Sequence, residues 1–355
     1  MNHQQDHNLY MKRCLLLASR ANGKVAPNPM VGCVILHQGR IIGEGYHARY
    51  GENHAEVQAI QSVKDKSLLK ESTLYVNLEP CSHHGKTPPC SELIIQHHIP
   101  QIVIGTKDIN PKVTGKGIEA LRKNGCHVTV GVLEKECFHL NRRFFTYFQK
   151  QRPYIILKWA QTLDGYMDIS PTLRKTNSNY WISNESLKYK VHRWRSEECA
   201  IFVGANTIRN DNPQLNIRYG TGIHPTRITF LKTPLPQYQD YAFFDNNQKT
   251  IIFNTFNKNE DNKTQYININ DKKNYIEEIL TTLYQNKCQS IIIEGGKHTL
   301  EKFLSKNLWD EARVLIGSKN FGQGIQAPTL STPPYKSENI ENDKVVYYKN
   351  SEFIP

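Results

Sequence analysis

His54-Ala55-Glu56 is followed along the chain by Pro80-Cys81 and then by Cys90. One imidazole and two thiolates can hold a catalytic zinc ion, which takes three protein ligands and keeps its fourth position for water. The charge of the metal makes that water a nucleophile near neutral pH. Glu56 lies only two residues beyond the imidazole, too close to be a casual neighbour. The spacing predicts one catalytic zinc ion per chain, bound by His54, Cys81 and Cys90.

Two other interpretations of these residues stay open. A lone histidine is usually an ordinary surface or core residue, and free cysteines are often small buried hydrophobes. A purely structural zinc would need a fourth ligand, and His83 and His84 lie between the two cysteines. The joint occurrence of all three ligands, with a proline directly before Cys81, favours the catalytic site.

The order H-x-E, P-C and C is typical of zinc-dependent nucleobase deaminases. In those enzymes the glutamate, here Glu56, is not a ligand and carries protons between the water, the ring nitrogen and the departing ammonia. Their usual signature ends in C-x-x-C, whereas eight residues separate Cys81 from Cys90. This longer spacing argues against an ordinary cytidine or tRNA-adenosine deaminase.

The segment Glu79–Cys90, with the sequence EPCSHHGKTPPC, resembles the riboflavin-biosynthesis deaminases. Three other stretches are similar to motifs of the same family, and together they span most of residues 1–150: PNPMVG at 27–32, GEGYH at 43–47 and DINP at 108–111. The resemblance implies a cytidine-deaminase-like three-layer domain. It also implies that Asn28 and His47 hold the base of the substrate.

The length of 355 residues predicts two domains, because a single hydrophobic core rarely grows so large. We expect a helix over Cys137–Gln151 that ends before Arg152-Pro153, since a proline disfavours helix in the residue before it. The predicted domains are therefore residues 1–150 and 151–355. Strand and helix patterns alternate in both, which predicts an α/β fold with helices on the faces of a sheet.

The formal net charge of +12 does not by itself indicate a nucleic-acid partner. Lysines and arginines are scattered rather than gathered in a stripe, and a positive field also attracts small phosphorylated substrates and dinucleotides. No stretch approaches the length of a membrane span, and Leu15-Leu16-Leu17-Ala18 is too short for a signal-peptide core. We expect a cytoplasmic protein with reduced cysteines, acting as a homo-oligomer without nucleic-acid or membrane partners.

The hydrophobic pattern predicts the elements of each half. In the first half we expect strands over Val31–Leu36, Ile41–Gly45, Thr73–Leu78, Gln101–Gly105 and His127–Val130, and helices over His54–Val63, Ser91–His98 and Gly117–Asn124. In the second we expect strands over Tyr154–Ala160, Ala200–Val203, Arg227–Leu231, Thr250–Asn254, Ser290–Glu294, Ala312–Ile316 and Val345–Lys349, and helices over Glu185–Trp194, Tyr275–Gln285 and Thr299–Ser305. Asn257–Asn274 is predicted to be a surface loop leading into a helix, and Ser337–Lys344 a connection. The other six cysteines are expected to be buried: Cys14, Cys33, Cys126, Cys137, Cys199 and Cys288.

The second half lacks the G-x-G-x-x-G fingerprint of ordinary dinucleotide-binding domains. It contains instead Ile291–Gly296, a buried strand that opens into a glycine pair before a helix. Backbone N–H groups at such a turn can approach phosphates closely, and the start of a helix favours an anion. A simple tight turn is the alternative interpretation.

Three further stretches resemble the reductase domain of the same pathway: KWAQTLDG at 158–165, WIS at 181–183 and GANT at 204–207. The similarity extends in scattered motifs from Pro153 to Gly324. It implies a dihydrofolate-reductase-like fold that uses NADPH, although NADH stays an alternative cofactor. No motif is recognisable after Leu231, and the segment Met167–Asn179 is longer than the family's usual connection.

The resemblance also implies roles for individual residues. The cofactor contacts would be Ala160, Trp181, Thr207, Asp211, Gly295 and Gly296. The phosphoribosyl substrate would meet Asn179, Arg195, Leu215, Arg218 and Glu294, with the two guanidinium groups facing the phosphate. Lys158 would be catalytic or would orient the substrate; a lysine paired with a carboxylate is the alternative. Both arginines could instead be ordinary surface residues, and Trp181 a core residue.

The resemblance implies a bifunctional enzyme whose substrate is a small phosphorylated pyrimidine. The first domain would remove the exocyclic amine of a diaminopyrimidinone that carries a phosphoribosylamino group. The second would use NADPH to convert the ribosyl group of the product into ribityl. Two other classes stay possible: a nucleic-acid deaminase of the tRNA type with a non-reductase accessory domain, and a non-catalytic binding protein whose zinc holds the fold.

Overall fold

The computed structural model describes residues 3–82, 88–110, 114–170, 180–237, 240–256, 263–270 and 274–350. The chain forms two compact units, one ending at Gln151 and one beginning at Arg152. This division lies one residue beyond the boundary proposed from the sequence. Within the described ranges, no helix is both long enough and apolar enough to cross a membrane.

The first unit contains five strands and six α-helices in its described part. In chain order they are α1 (His3–Ser19), β1 (Gly32–His37), β2 (Arg40–Tyr46), α2 (Ala55–Ser62), β3 (Thr73–Leu78), α3 (Cys90–Gln96), β4 (Gln101–Thr106), α4 (Lys116–Lys123), β5 (His127–Val130), α5 (Glu134–Leu140) and α6 (Arg142–Lys150). The strands form one sheet in the order β2-β1-β3-β4-β5. β1 is antiparallel to β2 and β3, whereas β3, β4 and β5 are parallel.

Alternate residues of the central strands pack against helices on opposite faces of this sheet, because side chains alternate along a strand. Ile35 packs in a core with residues of α2, α3 and α4. Val34 packs in a second core with residues of α1 and with Cys137 of α5. The unit is therefore a helix–sheet–helix sandwich, which confirms the predicted three-layer arrangement.

Two glycines of β2 allow α2 to lie directly against the sheet. A Cβ atom at Gly45 would come within 2.5 Å of the backbone of Ala55 and Ala59, and one at Gly43 within 2.5 Å of the Ala59 carbonyl. Lys66 donates to three carbonyls near the end of the same helix, those of Ile60, Gln61 and Val63. Gly45 therefore lets the first turn of α2 lie against the sheet, and Lys66 binds the carbonyls at the other end of the helix.

The second unit is built on a larger sheet. Its elements are β6 (Tyr154–Gln161), β7 (Tyr166–Ile169), α7 (Glu185–Glu197), β8 (Ala200–Phe202), α8 (Ala205–Asp211), β9 (Thr226–Leu231), β10 (Thr250–Asn254), β11 (Thr264–Asn268), α9 (Tyr275–Gln285), β12 (Ser290–Ile293), α10 (Lys297–Ser305), β13 (Glu311–Ile316), β14 (Gly324–Gln326), β15 (Lys336–Ile340) and β16 (Asp343–Lys349). Nine strands follow the order β11-β10-β9-β8-β12-β6-β13-β16-β15, and β7 pairs separately with β14.

In this order, all strands from β11 at the edge through β13 run parallel. β16 and β15 then continue the sheet in antiparallel pairing. Ile291 and Ile293 of β12 enter one core with α9 and α10, while Ile292 enters a second core with α7. The sequence of a strand that is buried on both faces is typically a continuous run of apolar residues. The predicted α/β class is confirmed in this unit as well.

The single helix predicted over Cys137–Gln151 is wrong, because the chain forms α5 and α6 with a break at Asn141. That residue ends one helix and precedes the next. Its buried amide accepts from the Met30 N–H at 2.8 Å and donates to the Met30 carbonyl at 2.9 Å. These bonds fix Asn141 against a distant loop, a constraint that local sequence does not reveal.

Two segments predicted to lack strands contain them. β11 lies within Asn257–Asn274, whose residues 257–262 and 271–273 lie outside the described ranges, and pairs with β10. β15 (Lys336–Ile340) takes up the first half of Ser337–Lys344 and pairs with β16. Both are edge strands of the large sheet, where polar and charged residues are common. The prediction that all six other cysteines are buried is also wrong for three, which are half-buried: Cys126, Cys199 and Cys288.

Candidate active sites

The three predicted zinc ligands converge in the first unit. His54 precedes α2, Cys81 follows β3, and Cys90 begins α3. The His54 Nδ1 atom lies 3.3 Å from the Cys90 sulfur and 3.6 Å from the Cys81 sulfur. All three ligand atoms lie within 4.8 Å of one another. In the described part of the chain, these three side chains are the group placed closely enough to hold a metal ion. This nitrogen and two sulfurs fit the donor set of a zinc ion.

The surroundings of Cys81 favour the thiolate, which is the form that binds a metal. Hydrogen bonding to the Cys90 thiol, together with His54, lowers the pKa of Cys81. The backbone N–H of Cys90 also donates to the Cys81 sulfur, at 3.3 Å. His83 and His84, the candidates for a fourth ligand, lie outside the described residues.

Glu56 lies in the first turn of α2 and is 3% exposed. Burial, with a further contribution from the charge of Cys81, raises the pKa of Glu56 to about 7. A carboxyl group whose pKa is near the working pH can both accept and deliver a proton. The combination of this group with the three ligands is the arrangement that acid–base chemistry on a bound water requires.

His47 and Asn28 form a fixed pair beside this cluster. The His47 ring lies 5.4 Å from the His54 ring, and its Nδ1 lies 3.1 Å from the carbonyl of Asn53. Because a carbonyl only accepts, Nδ1 carries the proton and Nε2 accepts from the Asn28 amide at 3.1 Å. Burial lowers the pKa of His47, which favours the neutral ring. The Asn28 amide nitrogen is thus held by His47.

A cleft of about 1020 Å³ lies at the carboxyl ends of β6, β8, β9 and β12 in the second unit. Ten of the residues predicted to bind cofactor or substrate line it: Lys158, Ala160, Trp181, Arg195, Thr207, Asp211, Leu215, Glu294, Gly295 and Gly296. Arg218 is exposed and is not among the lining residues described, and Asn179 lies outside the described residues. Clefts at the carboxyl ends of parallel strands are the usual ligand sites of open α/β sheets.

Glu294 holds two cations at the floor of this cleft. The guanidinium of Arg195 donates to both its carboxylate oxygens, through Nε and Nη2 at 2.9 Å each, and Lys158 Nζ lies 3.2 Å away. Burial opposes ionisation of Glu294, but Arg195 and Lys158 lower its pKa well below the ordinary value. The two parallel donors of Arg195 therefore face a carboxylate, whereas the sequence analysis expected them to face a phosphate.

Arg218 lies in a positive region next to these groups. Its backbone N–H donates to His192 Nδ1 at 3.0 Å, and its Nη1 donates to side-chain oxygens of Gln214 and Asn216, at 2.8 Å each. Burial, then the charges of Arg195 and Arg218, lower the pKa of His192 to about 4. Among the residues that the structure describes, no carboxylate forms a salt bridge with Arg218.

The glycine pair lies against Thr207 and Thr299. The Thr207 hydroxyl accepts from the Gly296 N–H at 3.2 Å, and a Cβ atom at Gly295 would come within 2.8 Å of Thr299. Only a glycine at 295 keeps this wall of the cleft close to the start of α10. The turn and the adjoining helix start fit the phosphates of a dinucleotide.

Several polar residues of the cleft were not predicted from the sequence: Arg209, Lys232, Thr233, Lys297 and His298. Lys232 and Thr233 directly follow β9, in the region where no motif was recognised. Their position at the carboxyl end of a parallel strand was the available signal. The added positive charge suits an anionic cofactor.

Known proteins match both units. Residues 4–106 match the cytidine and deoxycytidylate deaminase zinc-binding region, and residues 153–350 match the RibD C-terminal domain. The chain is 38% identical to riboflavin biosynthesis protein RibD of Aquifex aeolicus over 96% of this chain and 97% of that protein. It is 32% identical to RibD of Escherichia coli, over 88% of each.

A solved structure matches the whole chain. The crystal structure of a diaminohydroxyphosphoribosylaminopyrimidine deaminase/5-amino-6-(5-phosphoribosylamino)uracil reductase from Thermotoga maritima is 36% identical and has a TM-score of 0.88, covering 98% of this chain and 99% of that one. The predicted fold classes, zinc and NADPH are confirmed by these matches. The chain belongs to the RibD family of riboflavin biosynthesis, which joins a zinc-dependent deaminase to an NADPH-dependent reductase.

Proposed function

We propose that the unit ending at Gln151 deaminates 2,5-diamino-6-(5-phosphoribosylamino)pyrimidin-4-one. The unit beginning at Arg152 then reduces the ribosyl group of the resulting 5-amino-6-(5-phosphoribosylamino)uracil to ribityl. The observation that carries the first assignment is the His54, Cys81 and Cys90 cluster beside buried Glu56. The family membership of both units favours this pair of reactions over a nucleic-acid deaminase and over a non-catalytic zinc protein.

In the deamination, Glu56 is the residue that moves protons. His54, Cys81 and Cys90 would hold the zinc ion, which would lower the pKa of a water molecule at the site. Glu56 would take a proton from the attacking water, whose oxygen adds to the ring carbon that bears the exocyclic amine. It would deliver this proton to the ring nitrogen and then carry the proton of the newly added hydroxyl group to the amine, which leaves as ammonia while the carbonyl forms. Asn28, held by His47, presents its carbonyl oxygen to the base.

In the reduction, the chain's part is to align the substrate with its cofactor and to balance charge. NADPH, when bound in the cleft, would supply the hydride for C1 of the ribosyl group. The Gly295-Gly296 turn and Thr207 hold phosphates of the dinucleotide, with Ala160, Trp181 and Asp211 along the same cleft. Lys158, fixed by Glu294, is the cation at the reacting end of the sugar. Arg195 holds Glu294 from the other side, and Leu215 bounds the substrate.

A coupled assay tests both activities and their order. The purified chain is given the phosphoribosyl diaminopyrimidinone with and without NADPH, and ammonia and NADPH are followed. We expect ammonia in both cases and NADPH oxidation only after ammonia has formed. Ammonia without NADPH oxidation would leave the deaminase proposal standing and contradict the reductase proposal.

Arg218→Ala is expected to raise the KM of the reductase for its phosphorylated substrate by about 10-fold or more, because an arginine–phosphate hydrogen bond is charge-assisted. The exposed guanidinium of Arg218, bonded to two neutral side chains, is available to an anion. Arg193→Ala is the matched control, since that arginine is exposed on α7 and pairs with Glu197. Equal KM values for the two variants would remove Arg218 from the phosphate site.

A homo-oligomeric state and a cytoplasmic location stay predictions of the sequence. Light scattering on the purified protein tests the first, and a mass equal to one chain, 41.0 kDa, would contradict it. Fractionation of the producing cells tests the second.

A further inference from the structure

Glu79 bonds to four backbone N–H groups of a later segment and has no role in the mechanism above. It follows β3, is 4% exposed, and precedes the zinc ligand Cys81 by two residues. One carboxylate oxygen accepts from Asp108 at 3.2 Å and Gly115 at 3.1 Å. The other accepts from Gly117 at 3.0 Å and Ile118 at 3.3 Å. Both ends of the segment that connects β4 to α4 are therefore tied to one side chain.

That segment lies at the same edge of the sheet as the zinc ligands. β3 and β4 are parallel neighbours, so the residues that follow them emerge side by side. The Glu79 N–H donates to the Thr106 carbonyl at 3.0 Å, which joins the two strand ends directly. A Cβ atom at Gly117 would come within 2.1 Å of the Pro80 carbonyl, so the start of α4 packs against the peptide that leads to Cys81.

The described part of the segment is also ordered within itself. The Asp108 side chain is buried and accepts from the Asn110 N–H at 2.7 Å. A wall in this position would border any base bound at the zinc site.

We propose that Glu79 is a positioning residue for deamination: by holding the N–H groups of Asp108, Gly115, Gly117 and Ile118 it fixes one wall of the pyrimidine site next to Cys81. The inference rests on the deaminase function proposed above. All four partners are donors, so the side chain must offer acceptors on both of its terminal atoms. A carboxylate does, whereas the amide of glutamine replaces one acceptor by a donor. Glu79→Gln therefore keeps the volume and breaks half of the contacts.

The test compares Glu79→Gln with Glu44→Gln in the full chain. Glu44 is a partly buried glutamate of the same unit that accepts from Arg13, away from the segment. For Glu79→Gln we expect a deaminase KM raised about 10-fold or more, a kcat changed much less, and unchanged zinc content and reductase rate. Glu79→Asp keeps two acceptor oxygens and should recover part of the loss. Glu44→Gln should have the wild-type KM.

Amide hydrogen exchange on the zinc-loaded variants measures the wall directly. In Glu79→Gln, peptides containing Gly115, Gly117 and Ile118 should exchange faster, while those of β3 keep their protection. An unchanged KM would overturn the proposal. A loss of zinc together with a loss of β3 protection would also overturn it, because Glu79 would then support the fold as a whole. A wild-type chain that releases no ammonia would instead refute the deaminase function itself.

Discussion

Glu56→Gln is expected to lower the rate of ammonia release by about 10³-fold or more, because general acid–base catalysis contributes factors of that size and this carboxyl acts in several proton transfers. Glutamine has nearly the same volume but cannot take a proton from the water. The buried first turn of α2 should accept it without rearrangement, since burial raises the pKa of Glu56 to about 7 and so favours a neutral side chain there. Ammonia release and bound zinc are measured on the same preparation.

Two controls separate this result from a damaged site. Zinc content should stay at the wild-type value, because Glu56 is not a ligand. The reductase rate, measured with the deaminated intermediate, should also be unchanged, because the variant alters the other unit. Turnover close to that of the wild type would reject the proton-transfer role of Glu56.

The zinc cluster could be predicted from sequence because its signal is local. His54 and Glu56 lie two residues apart at the start of one helix. Cys90 is the first residue of the next helix, and Cys81 precedes it. The chemistry of such ligands is specific enough that no knowledge of tertiary contacts was needed. The central strands were predictable for a similar reason, since buried strands carry continuous apolar or alternating patterns.

The interactions of the reductase cleft could not be predicted in this way. Arg195 and Glu294 are separated by 99 residues, and Lys158 and Glu294 by 136. Which carboxylate an arginine meets depends on the strand order of the sheet, which the sequence pattern does not specify. The four contacts of Glu79 were missed for the same reason, since its partners lie 29 to 39 residues away.

Some strands and helices were not predicted from the sequence for a different physical reason. β11 and β15 are edge strands that pair with β10 and β16, and most of their residues are polar or only partly buried, so they lack a strong apolar pattern. α1 begins in a polar stretch, and the apolar run Leu15–Ala18 was considered only as a signal-peptide core. The inward-facing residues of α1 recur at helical spacing and fill the core on one face of the first sheet; they are Met11, Cys14 and Leu17.

Cys81→Ser is expected to reduce bound zinc from about one ion per chain to nearly none, because a serine hydroxyl stays protonated at neutral pH and does not replace a thiolate. The two remaining ligands, His54 and Cys90, fall short of the three that a catalytic zinc requires. Deamination should be lost together with the metal, while the reductase rate stays unchanged. Zinc is measured by elemental analysis after gel filtration, and ammonia release on the same sample.

Cys126→Ser is the matched control for this variant. Cys126 is also a half-buried cysteine of the first unit, and its thiol donates to the Ile99 carbonyl, an interaction that a serine hydroxyl can reproduce. It should therefore keep full zinc content and deaminase activity. Zinc retained in Cys81→Ser would show that the ligand set is different, and zinc lost in both variants would mean that metal binding follows the stability of the unit rather than the Cys81 thiolate.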